Sequence, residues 1–280
     1  MNRGILDHTA PSPYRYRVLV PFLLQPITAV AGHFMADELA FRRIYDVYYL
    51  LAFVSLLQTL RWYLRLWYTD QEALIGALLV AATLPITLRN NFFEPASFIE
   101  PSLLTIALVW TYRGAVWRVL PLTVLGSFVR ETAVFIPIAC WFAASTSSVK
   151  IPRGTPTAMA LVSLILSTAV FAGLRWRFGE GLHVTLADVW AINTGREGFL
   201  AAVVNVALFL GGAGWILVLV GYGQAPQFVR RAMRFAPIYV AAVAIGGVWY
   251  EVRLLMLLYP VLVPCAMAAL FPIDASRLSR

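Results

Sequence analysis

Three stretches of this chain, 155–174, 199–229 and 254–273, contain no charged residue. As a helix rising 1.5 Å per residue, each is long enough to cross a hydrocarbon core of roughly 30 Å. A water-soluble domain could not hide so much apolar surface: of 280 residues, 60% are hydrophobic and 13% charged, and the mean hydropathy is +0.75. Alternating segments of about ten residues, the mark of an outer-membrane barrel, are absent. The sequence predicts an all-α fold, a polytopic bundle of about nine or ten membrane segments forming one transmembrane domain over 1–280.

The expected segments are 44–62, 72–88, 95–112, 117–129, 131–147, 155–174, 199–221, 235–250 and 253–271, with 18–35 ambiguous. Those that are short for a free span are expected to be tilted or broken inside the bundle, where protein or water meets their ends. One set of alternate connections holds eleven basic residues, including Lys150, Arg153, Arg230, Arg231 and Arg234. The opposite set, counted from Arg89 onward, holds six. The positive-inside rule puts the first set in the cytoplasm. That asymmetry also accounts for the net charge of +8, so no nucleic-acid partner is expected. Cys140 and Cys265 lie inside apolar runs and read as small core residues, indicating neither a disulfide nor a metal.

Charges near membrane depth are costly and face the bundle interior or a water-filled cavity. In this layout they collect at the outer face. Glu94 and Glu100 sit beside Pro95 and Pro101, which are expected to break the backbone there. Arg130 and Glu131 interrupt "GSFVRETAVFIP", and Glu251 and Arg253 interrupt "WYEVRLLMLLYP". The longest outer loop, 175–198, contains His183 and Asp188. Any single Arg–Glu pair can simply lock two helices together, and a lone His is more often a loop residue than a ligand. Convergence of several acids and arginines on one face favours function. Arginines grip phosphate through forked hydrogen bonds, and a carboxylate in a partly dry cleft serves as a general base. A hard divalent cation could join the carboxylates and a phosphate, although no spacing demands one.

The stretches "YRYRVLVPFL", "FFEPASF", "GSFVRETAVFIP" and "EVRLLMLLYPVLVP", in that order, resemble integral membrane glycosyltransferases of the GT-C class. The resemblance spans most of the chain. It implies transfer from a polyprenyl-phosphate-linked sugar to a glycan or lipid acceptor, at the outer face of the bacterial inner membrane and among membrane lipids. Asp37, Glu94 and Glu131 become the candidate catalytic carboxylates, with Asp37 or Glu94 as general base. Arg15, Arg17, Glu100, Arg130, His183, Glu251 and Arg253 become the candidate substrate-binding set. Proteins of this class usually begin with a membrane helix before the outer loop that carries the catalytic acid, and none precedes Asp7 here. The expectation is therefore a truncated or divergent member, with 1–43 as an outer or interfacial segment. A lipid or sugar transporter, with Asn205, Gly211, Gly212 and Gly214 lining a path, stays open as an alternative. So do an O-antigen polymerase-like protein and a non-catalytic membrane subunit.

Overall fold

In a computed structural model the chain is described over residues 2–6, 10, 14–88, 96–179, 185–271 and 273. Among the described residues there are only helices and turns. The first seven helices are α1 (Asn2–Leu6), α2 (Leu19–Gly32), α3 (Asp37–Leu64), α4 (Asp70–Thr87), α5 (Ala96–Tyr112), α6 (Val119–Val129) and α7 (Phe135–Ala143). Then come α8 (Thr155–Phe178), α9 (Leu186–Thr194), α10 (Arg196–Leu208), α11 (Ala213–Gly221), α12 (Gln227–Ala232), α13 (Phe235–Gly246) and α14 (Tyr259–Leu270). Among the described residues helix covers most of each segment expected from the sequence, including 18–35, although 33–35 and 247–250 lie outside it.

Local chemistry sets many of the boundaries. At the start of α4, Thr69 Oγ1 accepts from the Glu72 N–H at 3.2 Å and Glu72 Oε2 accepts from the Thr69 N–H at 2.6 Å. Thr185 and Asp188 make the same reciprocal box ahead of α9. A proline stands in the first turn of α8, and Gly179 stops that helix at φ +67°, a conformation that costs glycine little. The expected span 199–221 is broken instead: Leu210, Gly211 and Gly212 all have positive φ and separate α10 from α11.

The charged connections sort to two ends of the bundle. At one end, Arg17 meets Glu131, Arg130 meets Glu100, and Arg15 Nη1 donates to the Phe178 carbonyl at 3.1 Å, where α8 finishes. At the other, Arg61 Nη2 meets Asp70 Oδ2 at 2.5 Å, and the Ser148 N–H donates to the Tyr112 carbonyl at 2.9 Å. The Trp67, Tyr112 and Phe228 rings pack together there. Thus α5 runs from the first end to the second, α6 returns, α7 leaves and α8 returns again. The loops richest in lysine and arginine share the second end.

Some 83% of the most apolar stretch of Val252–Leu270 is buried, against 28% of that in Thr155–Phe178, so α14 is the core and α8 the periphery. Against α14 lies α11, so close that a Cβ on Gly221 would stand 1.9 Å from the Cys265 carbonyl oxygen. Small residues at such a crossing let two backbones touch, a device common between helices in lipid. The outward faces of α3, α8, α11 and α13 expose Leu50, Leu51, Leu161, Ile165, Ile216, Leu219 and Ile245. Soluble monomers rarely leave so much apolar surface uncovered. By length and apolarity, two helices are able to cross a membrane, Thr155–Phe178 and Val252–Leu270. The pair Leu186–Thr194 and Arg196–Gly211, bent by 78°, makes a third if it counts as one span.

Candidate functional site

The end of the bundle where α8 finishes gathers ionic groups from four distant parts of the sequence. The hairpin of α6 and α7 supplies two of them. Arg130 is extended (φ −163°, ψ 148°), which ends α6 and turns the chain back. Gly126 makes the close return feasible, since a Cβ there would lie 2.9 Å from that of Ala133. Arg130 and Glu131 are thereby held at the hairpin tip.

Their partners come from elsewhere. Arg17, just before α2, offers Nη2 to Glu131 Oε1 at 2.5 Å and Nε to Oε2 at 3.2 Å, a forked pair spanning 114 positions of sequence. Its guanidinium also lies 4.6 Å from the centre of the Tyr14 ring. Glu100, one turn into α5, faces Arg130 Nη1 at 3.6 Å and accepts a hydrogen bond from the Thr132 hydroxyl. Contrary to expectation, Pro101 does not break the backbone there: α5 runs through it. The third pair is local: Arg253 Nη2 donates to Glu251 Oε2 at 2.9 Å. Arg130 is within electrostatic reach of Glu131, Tyr239 and Glu251 as well as Glu100, which ties the three pairs into one network.

Exposure differs sharply among them. The Glu100 and Arg130 side chains are each 3% exposed, while that of Glu131 is 42% exposed. Glu131 is therefore the member of these two pairs that reaches solvent, whereas Arg17, at 9%, and Glu100 and Arg130 are sealed from water in this conformation.

Backbone breaks near this network are satisfied by side chains of the neighbouring helices. Asn193 Nδ2 donates to the Gly247 carbonyl at 2.9 Å and its Oδ1 accepts from the Trp249 N–H at 2.9 Å. Asn205 Nδ2 donates to the Tyr250 carbonyl at 3.0 Å. Irregular backbone in an apolar bundle requires such partners. Asn205 thus pins the connector ahead of Glu251.

Two hollows are lined by chain neighbours of the network, and no network residue lines either. One, of about 400 Å³, is lined by Asp37, Phe41 and Tyr45 of α3 and by Pro21, Gln25 and Thr28 of α2. Asp37 is exposed, and its carboxylate occupies space that Gly32 leaves open, an added Cβ lying 2.7 Å from Oδ1. Tyr45 packs with Val20 and Ile99, which neighbour the Arg17 and Glu100 positions. The second hollow, of about 630 Å³, is lined by Arg196, Glu197 and Tyr250, next in the chain to Glu251.

Of the residues singled out from sequence, Arg17, Glu100, Arg130, Glu131, Glu251 and Arg253 come together. Arg15 sits beside them, bonded to the Ala10 and Phe178 carbonyls. Asp37 lines the first hollow. Glu94 and His183 fall outside the described residues, as do Asp7 and Arg89. The stretch 175–198 is not a plain loop: it contains the last turn of α8 and all of α9. Sequence reasoning missed Thr132, Asn193 and Tyr239; only Tyr239 stands out as a polar group in an otherwise apolar run. Among the described residues no group of three or more His, Cys, Asp or Glu side chains is placed to hold a metal. Compared with known proteins, the chain matches no family model, no curated protein and no solved structure.

Proposed function

We propose that this chain is a multi-pass membrane glycosyltransferase of the GT-C type. It would move a sugar from a polyprenyl-phosphate donor to a glycan or lipid acceptor at the outer face of the bacterial inner membrane. The observation that carries this reading is the assembly of Arg17, Glu100, Arg130, Glu131, Glu251 and Arg253 into one network, at one end of an apolar bundle in which Asp37 lines a hollow between α2 and α3. Ionic groups sunk in an apolar bundle are expensive and by default functional. The sorting of basic loops to the opposite end favours an outer position for the network.

Each group then has a task. Asp37 takes the proton of the acceptor hydroxyl, whose oxygen attacks the anomeric carbon of the donor. The bond from that carbon to the phosphate oxygen breaks, with inversion, and the phosphate leaves on its lipid. Arg17 receives the leaving phosphate by exchanging its half-exposed partner Glu131 for the incoming anion, with Arg15 next to it. Arg130 and Arg253, buried against carboxylates, hold the frame that positions Arg17 and the hairpin tip. Transfer requires a water-poor cleft open to both lipid and the aqueous phase, and a hollow between α2 and α3 suits that need.

A non-catalytic membrane subunit is the second reading, favoured by one specific observation: each arginine of the network already has a carboxylate partner. Reconstitution separates the two. The chain in lipid bilayers, given a labelled polyprenyl-phosphate sugar and an acceptor, should release polyprenyl phosphate. Asp37→Asn should lower that release at least about a hundredfold, the usual worth of a general base, with unchanged thermal stability because Asp37 is exposed. Absence of release by the unaltered chain, or full release by Asp37→Asn, overturns the assignment.

A further inference from the structure

Four cations share one hollow at the end of the bundle away from the Arg17–Glu131 pair. Lys150 and Arg153 come from the connection between α7 and α8, Arg231 from α12, and Arg234 from the turn before α13; together they line a cavity of about 530 Å³. No acidic residue lines it. Among the described residues, none of the four is paired with a carboxylate. Like charges around one concave space focus a positive potential that an anion would relieve.

The rest of the site is apolar and faces outward. Trp141 and Val149 also line the cavity, and both are exposed. The Trp141 indole is held at the rim by donating Nε1–H to Thr157 Oγ1 at 3.1 Å. From Thr157 the same face of α8 continues through Leu161 and Ile165, both exposed and each about one turn further from the cavity. Cations in a hollow, an amphipathic indole at its lip and a greasy stripe leading away match a molecule with an anionic head and an apolar tail.

We infer that this cavity binds the phosphate headgroup of an anionic phospholipid, whose acyl chain lies along Leu161 and Ile165. A soluble phosphate ester would use the same cations and leave the stripe idle, so the source of the phosphate is testable. The inference rests on the membrane placement proposed above but not on the transfer reaction, and binding, unlike turnover, reads it alone.

The test is native mass spectrometry of the full chain in detergent. It is titrated in parallel with dioctanoyl phosphatidylglycerol, dioctanoyl phosphatidylcholine and glycerol 3-phosphate. The phosphatidylglycerol adduct should saturate first, and glycerol 3-phosphate should not be retained. Arg231→Gln with Arg234→Gln should weaken the phosphatidylglycerol adduct about 30-fold, the worth of two basic residues at an anionic headgroup. Lys150→Gln with Arg153→Gln changes only exposed residues between helices and should do the same, so the test survives if the first variant fails to fold. Equal retention of the two lipids, undiminished binding by the Lys150 and Arg153 variant, or glycerol 3-phosphate binding as tightly as the lipid would each overturn the inference.

Discussion

Glu100→Gln removes a negative charge from a closed site while keeping the side chain's shape. With both Glu100 and Arg130 at 3% exposure, water cannot replace the lost partner. Removing one member of a buried pair costs about 3–5 kcal/mol, because the other charge stays buried without compensation. Glu131 and Glu251 remain within electrostatic reach of Arg130, which puts the expected loss near the lower bound, about 3 kcal/mol. At roughly 2–4 °C per kcal/mol for a chain of this size, the melting midpoint should fall by about 6–12 °C. The double variant Glu100→Gln with Arg130→Met removes both charges, and exchanging a whole buried pair for apolar volume is often neutral. Its midpoint should return to within a few degrees of the unaltered protein, although the Thr132 hydroxyl must then bond to an amide. The assay is thermal unfolding followed by tryptophan fluorescence in one detergent, with all variants at equal protein concentration. A single variant as stable as the parent, or a double variant less stable than the single, would refute the reasoning that these two residues form a sealed pair.

Gly221→Ala should destabilise the bundle by about 1–3 kcal/mol or more, because its Cβ meets backbone of α14, namely the Cys265 carbonyl oxygen at 1.9 Å and the Ala269 nitrogen at 2.7 Å. Gly173→Ala, with nothing within 4 Å, should be neutral or stabilising, and equal effects of the two on the melting midpoint would refute the close crossing of α11 and α14. The hydrogen bond from Arg61, aided by the charges of Arg61 and Arg65, holds the Asp70 carboxyl below its usual range. A depressed carboxylate contributes stability that is present above the unfolded value of about 3.9 and is lost as pH falls through the lower folded value. Melting curves should therefore show an acid-side loss that shrinks in Arg61→Gln, and an undiminished loss in that variant would count against the pair.

From sequence alone came the helical class, the apolar exterior and the sorting of charge. Those follow from one-dimensional quantities: windows without charge, their length against a bilayer, and the sign of the residues between them. That Arg130, Glu131, Glu251 and Arg253 stand apart from the apolar runs around them was also legible, because ionic groups inside such runs stand out wherever they pair. Which pairs form was not. Arg17 reaches Glu131 only because α2, α6 and α8 meet at one end, and no local rule relates positions 114 residues apart. The role of Asn193 was hidden likewise, since it depends on what a neighbouring helix leaves unbonded. Hydropathy decides that a segment must be buried or meet lipid, but only packing decides its neighbours. The network at one end and the cationic hollow at the other are properties of those neighbours.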